Sequence, residues 1–171
     1  MKTALLPAAL LLAATLPAQA AELNVSVELP KLTVAEYHKP YVAVWIEDSN
    51  KQVVSNLALW YDAKMKNNEG EKWLKDMRQW WRKTGRTLTM PVDGITGATQ
   101  GPGQHQLNFT VGKAPLNNLE SGDYTLRVEA AREVGGREVV DIPFQWPQAK
   151  AATFNSTGST ELGAVAVSIK P

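Results

Sequence analysis

The hydrophobic pattern of the chain changes period twice. From Glu22 to Leu29, "ELNVSVEL", the apolar residues Leu23, Val25, Val27 and Leu29 alternate with Asn24, Ser26 and Glu28, which predicts a half-buried strand closed by Pro30. The run "YVAVWIED" from Tyr41 is apolar at successive positions, as expected of a central strand covered on both faces. "DSNKQ" supplies a turn, and "VVSNLALWYD" from Val53 returns as the hairpin partner. Between Asn68 and Gly85 the period becomes helical. Trp73, Leu74, Met77, Trp80 and Trp81 fall on one face, predicting an amphipathic α-helix over about 68–84. Asn68 followed by Glu71 resembles a capping box, and Gly85 after Lys83 suits the other end. The opposite face, Lys72, Lys75, Asp76, Gln79 and Arg82, reads as solvated.

Strand patterning then resumes. "RTLTMPV" is a short extended piece leading into a Gly/Pro-rich loop over 91–103, and "HQLNFTV" places Leu107, Phe109 and Val111 inward. The strongest hairpin follows, with Tyr124, Leu126, Val128 and Ala130 alternating before a Gly135-Gly136 turn and "REVVDIPFQW". Its acidic residues Asp123, Glu129, Glu133, Glu138 and Asp141 read as an exposed face. "LESGDY" resembles the tyrosine corner of immunoglobulin-like sandwiches. "FNSTGSTELG" reads as a flexible polar loop before the last strand, "AVAVSI". About eight short strands at this spacing predict an all-β-dominated, immunoglobulin/fibronectin-like antiparallel β-sandwich with one inserted amphipathic helix.

The ends and the composition narrow the setting. Lys2, an apolar run from Ala4 to Leu16 and the small residues Ala18-Gln19-Ala20 have the layout of a secretory signal peptide, with cleavage expected after Ala20. Residues 21–171 are then expected to form a single exported, periplasmic domain without a membrane span. Loss of Lys2 leaves equal numbers of basic and acidic side chains, so nucleic acid is a poor partner. The absence of cysteine excludes disulfides and thiolate chemistry, and two histidines, His38 and His105, give little basis for a metal site.

The loop carries the most specific signal, Asp93 to Thr99, "DGITGAT". This resembles the flavinylation motif of the FMN-carrying subunits of sodium-pumping quinone reductases and related ferredoxin-linked complexes. The resemblance implies covalent FMN on Thr99 through a phosphoester, with Asp93, Gly94, Thr96, Gly97 and Ala98 as the recognition loop. It also implies an exported, magnesium-dependent flavin transferase that uses FAD as donor and releases AMP. The residue types suit such a reaction: transfer to a hydroxyl is mostly positioning, and Gly97 and Ala98 keep bulk away from the acceptor. Asp93 is expected to hold the loop by bonding to its own backbone. The continuation Gln100-Gly101-Pro102-Gly103 departs from the Ser/Thr-rich sequence of those subunits, so that resemblance is confined to the motif.

A second resemblance spans nearly the whole mature chain. "PYVAVWIED", "NNEGEKWLKDMRQWW", "DGITGAT", "GDYTLRVEAAREVGGRE" and "PFQWP" resemble the bacterial periplasmic domain-of-unknown-function family 2271. It implies a flavinylated carrier associated with membrane proteins of the PepSY type, in transmembrane electron transfer or metal uptake. Candidate flavin contacts are Trp80, Trp81 and His105. Arg82, Lys83 and Arg86 are either a screen for the flavin phosphate or a solvated helix end. Three readings stay open: a non-catalytic redox carrier, a cofactor-free immunoglobulin-like binding module in a metal-uptake or envelope system, and a flavin reductase. The carrier is preferred, because no Ser-His-acid arrangement or nucleotide-binding glycine motif accompanies the loop.

Overall fold

The computed structural model describes residues 20–171, so the signal-peptide segment lies almost wholly outside the described residues. Nine strands follow in order: β1 (Glu22–Leu29), β2 (Tyr41–Asp48), β3 (Val53–Trp60), β4 (Thr96–Gly97), β5 (Gly103–Thr110), β6 (Gly122–Ala131), β7 (Arg137–Trp146), β8 (Ala152–Thr157) and β9 (Ala164–Lys170). They form two sheets, ordered β5-β1-β9-β8 and β4-β3-β2-β6-β7. Every pairing is antiparallel except the two-residue β4, which runs parallel to β3. This is the expected β-sandwich with a small helical insert.

Period-two patterning explains the space between the sheets. Leu23, Val25 and Val27 of β1 meet Val42, Val44 and Ile46 of β2, Leu126 and Val128 of β6, and Val165, Val167 and Ile169 of β9, all fully buried. The other parity of β2 and β3 is apolar too, and it builds a second core on the outer face of the five-stranded sheet. There Ala43, Trp45, Leu59 and Tyr61 are covered by Leu74, Met77, Trp80 and Ile95. An uninterrupted apolar β2 is thus the signature of a sheet packed on both sides. Each fully buried large side chain contributes on the order of 1.5–3 kcal/mol, so the outer core is a major stabilising layer in its own right. Tyr124 Oη donates to Glu120 O at 2.9 Å, forming the tyrosine corner.

The insert departs from the expected α-helix. Lys66–Asp76 is 3-10 and only Arg78–Lys83 is α-helical, here α1. Asn67 and Asn68 both take left-handed φ of 55°, so no capping box forms. In a 3-10 segment successive residues turn by about 120° rather than 100°, which rotates Trp73 off the buried stripe. Leu74, Met77 and Trp80 remain on it, while Trp73 is 46 % exposed. "RTLTMPV" is likewise not extended throughout: Gly85–Thr87 forms a short 3-10 turn.

Two carboxylates of the β6–β7 hairpin, expected on a solvated face, are structural. Glu129 is fully buried on the outer face, where Oε1 accepts from Gln79 N–H at 3.1 Å and Oε2 from Trp80 N–H at 2.7 Å. Arg137 neutralises it at 2.8 Å. Glu138 accepts from the backbone N–H groups of Ser159, Thr160, Glu161 and Leu162 and from the Ser159 hydroxyl. The segment read as a flexible loop is therefore half strand, in β8, and half a tightly held turn. Burial pushes the Glu138 carboxyl up, but the donors from Ser159, Leu162 and Thr160 outweigh it and hold it at about 2.

The Glu138 carboxylate makes the stability of the fold depend on pH. Its folded value lies below the ordinary 4.5, so its stabilisation is fully present above that value and is lost as pH falls through about 2. Glu138→Gln is expected to lower the unfolding free energy at neutral pH by about 1–3 kcal/mol. Denaturant melts of both proteins across pH should show the gap closing in acid. A gap that stays constant with pH would contradict this role.

Candidate functional site

The motif is anchored to a sheet edge. Leu59 N–H donates to Ile95 O at 2.8 Å and Tyr61 N–H to Gly97 O at 3.0 Å, so β4 adds Thr96 and Gly97 to β3. Ile95 is buried in the outer core and fixes the loop from below. Gly94, at φ 77°, makes the turn before it. A Cβ on Gly97 would sit 3.1 Å from Trp60 Cδ1, so the lack of a side chain lets this backbone lie flat on an indole. Thr96 closes the turn itself: its Oγ1 accepts from Val92 N–H at 2.9 Å, and its N–H donates to Val92 O at 3.1 Å. Among the described residues Asp93 forms no hydrogen bond of this kind; its side chain is exposed, and Thr96 takes the bracing role expected of it.

Beyond the anchored pair, Ala98 is exposed and Thr99 reaches the rim of a cavity of about 340 Å³. Thr99 Oγ1 donates to Asp62 Oδ1 at 3.3 Å, just past the end of β3. The cavity lies where β2 begins and β3 and β6 end. Tyr41 comes from β2, Ala131 and Arg132 from β6 and its turn, Tyr37, His38 and Lys39 from the β1–β2 connection, and Met65, Trp73 and Asp76 from around the insert. Its volume falls at the lower end of the range of small-molecule sites, roughly 300–1,000 Å³.

The lining is mixed in charge. Arg132 forms a bidentate pair with Glu161, at 2.8 and 3.0 Å, and both side chains are buried. That partner raises the Arg132 guanidinium above its ordinary value against the opposing effect of burial. Its Nη1 has no hydrogen-bond partner, alone among the buried side-chain nitrogens and oxygens of the described residues. His38 Nε2 lies 2.8 Å from Glu36 Oε1, and its Nδ1 lies 3.5 Å from Glu133. Burial pushes the Tyr41 hydroxyl up to about 12, so it remains a protonated donor at neutral pH.

The expected flavin contacts Trp80, Trp81 and His105 do not line this cavity. Trp80 is fully buried beneath the outer sheet face, its Nε1 donating to Asn56 Oδ1 at 2.9 Å. Trp81 lines a separate basic cleft with Lys75, Arg78, Arg82 and Arg137. His105 packs edge-on against Trp60, centroids 5.5 Å apart, and its Nε2 lies 2.8 Å from Gly101 O. Of the basic trio, Lys83 is engaged by Lys51 O and Glu47 on the far side of the insert. A more apolar groove of about 440 Å³, lined by Tyr124, Phe144 and Phe154, lies at the opposite end of β6 from Arg132.

The chain belongs to the family described as predicted periplasmic protein (DUF2271), whose model matches residues 22–164. That span covers β1 through β8 and the motif, and ends at the first residue of β9. No curated protein and no solved structure matches the chain. No helix among the described residues is long and apolar enough to cross a membrane.

The turn geometry assigns different weights to Thr96 and Asp93. Thr96→Val is expected to remove about 1 kcal/mol of bracing and speed amide exchange at Val92 about fivefold. Asp93→Asn should leave that rate within about twofold. Hydrogen exchange by NMR separates the two; equal acceleration in both variants would contradict the assignment.

Proposed function

Taking this chain as a member of that periplasmic family, we propose that it is an exported electron-transfer protein that carries FMN covalently on Thr99. The observation that carries the reading is the presentation of Thr99: the last residue of the motif, two residues beyond a stapled strand, with its hydroxyl at the rim of a ligand-sized cavity. Such an acceptor is accessible to a modifying enzyme and still fixed in direction, the two demands of in-line phosphoryl transfer.

The chemistry of the site suits attachment. Thr99 Oγ1 attacks the phosphorus of the FMN half of FAD. The new Thr99 O–P bond forms as the pyrophosphate bond breaks, and AMP leaves with the electron pair. Asp62, which already accepts the Thr99 hydroxyl hydrogen, is placed to take the proton. The magnesium-dependent flavin transferase supplies the FAD site and the metal. Gly97 and Ala98 leave the approach to Thr99 unobstructed.

When bound, FMN supplies reversible electron uptake and release, which makes the protein a carrier between a membrane redox protein, of the PepSY type, and a periplasmic acceptor. A covalent tether keeps the cofactor at high effective concentration outside the cytoplasm, where replacement is slow. The sandwich is the rigid support.

Co-expression with an FAD-dependent flavin transferase tests this. The wild-type chain is expected to gain the mass of one esterified FMN and to keep flavin fluorescence after denaturation. Thr99→Ala should gain neither. An unmodified wild type in the presence of a transferase proven active on another substrate would overturn the proposal.

A further inference from the structure

Few large apolar side chains are exposed among the described residues: Val34, Tyr37, Met65, Trp73 and Val134. Three of these five, Tyr37 at 37 %, Met65 at 41 % and Trp73 at 46 %, line the Thr99 cavity. Tyr37 arrives from the β1–β2 connection, and Met65 and Trp73 from the insert and the residue that caps it. Exposed apolar surface concentrated in one concavity is the usual mark of a ligand seat.

Trp73 is held outward by its neighbours. Leu74 and Met77 are buried in the outer core and fix the 3-10 segment. Gly70 is pressed against Asp62, where a Cβ would overlap the Asp62 carbonyl oxygen. The segment that carries Trp73 is thereby locked to the residue whose carboxylate meets Thr99. The indole and the acceptor hydroxyl share one rigid frame.

Charge narrows the occupant. Asp62, Asp76 and Glu133 line the cavity against Lys39 and Arg132, and Arg132 is already paired with Glu161. Such a lining disfavours a polyanion inside and suits a flat, uncharged ring. Arg132 Nη1 is buried without an acceptor for its N–H bonds, and a heteroaromatic ring that bears carbonyl oxygens supplies acceptors.

We propose that this cavity seats the isoalloxazine ring of the flavin attached at Thr99, with Trp73 as its stacking face and Arg132 as the donor to its carbonyl edge. The proposal rests on the flavin reading of Thr99. The phosphate stays at the exposed rim, where solvent screens it from Asp62, and the uncharged ring enters the aromatic hollow. Trp80, Trp81 and His105 have no part in the contact.

The test compares wild type, Trp73→Ala and Trp73→Phe, each co-expressed with the transferase. Intact mass reports attachment, and flavin fluorescence with visible circular dichroism reports seating. All three proteins are expected to carry the full mass increment and to melt alike, because Trp73 is outside the core. Native wild type should be quenched several-fold relative to the denatured protein and show an induced dichroic band. Trp73→Ala should lose both signals, and Trp73→Phe should keep part of each. A full mass increment with wild-type fluorescence unchanged on denaturation, or with Trp73→Ala indistinguishable from wild type, would overturn the seat and leave attachment standing. If no mass is gained, the attachment reading fails, and riboflavin titrated into the unmodified proteins decides the seat. Quenching by wild type but not by Trp73→Ala upholds it; quenching by neither, or equally by both, overturns it.

Discussion

A buried carboxylate holds the outer layer of this protein in place. Glu129 has no solvent exposure, and an ionised group there is tolerable only with partners on every side. Those partners are two backbone N–H groups at the start of α1 and the Arg137 guanidinium. The insert has little stability of its own: its single α-helix is six residues long, far below what persists in isolation. Glu129 fixes where that helix begins, Trp80 drives its burial, and the 3-10 segment before it is drawn across the end of the sheet. Trp73 and Asp76 reach the Thr99 cavity only because of this placement.

The same sheet end collects the motif. β4 is too short to be a strand by itself, and it exists because Leu59 and Tyr61 offer N–H groups along the edge of β3. Gly97 lying on Trp60 lets the pairing form without steric conflict. The Gly/Pro-rich loop is therefore stapled to the sheet at Thr96 and Gly97. Rigid support beneath an exposed tip is the arrangement that a positioned acceptor requires.

Much of the sandwich was legible because its strands obey one local rule. The alternation in β1 and the unbroken apolar β2 encode a half-covered and a doubly covered strand, and "LESGDY" encodes its own corner. The failures are non-local or helical. Glu129 and Glu138 sit in an alternating pattern that reads as solvated, and their partners lie 49 and 21 residues away in sequence. Trp73 fits an α-helical stripe but belongs to a 3-10 segment with a different turn angle. Around the candidate site, the motif ending at Thr99 stands out in the sequence, whereas the cavity that its hydroxyl reaches does not: Tyr37, Met65 and Trp73 carry no shared spacing, and only the fold assembles them. Asp93 shows the opposite error, a residue type suited to bracing a turn where the neighbouring Thr96 does the bracing.

A flavin carried on one hydroxyl, Thr99 Oγ1, is proposed to occupy a seat already built by the fold. A crystal structure of the protein isolated after modification by the transferase tests it most directly. Continuous density is expected from Thr99 through the phosphate, with the ring system against Trp73 and the sheet end unchanged. Density for the phosphate on another hydroxyl, Thr96 for instance, or an intact domain with a bare Thr99, would contradict it.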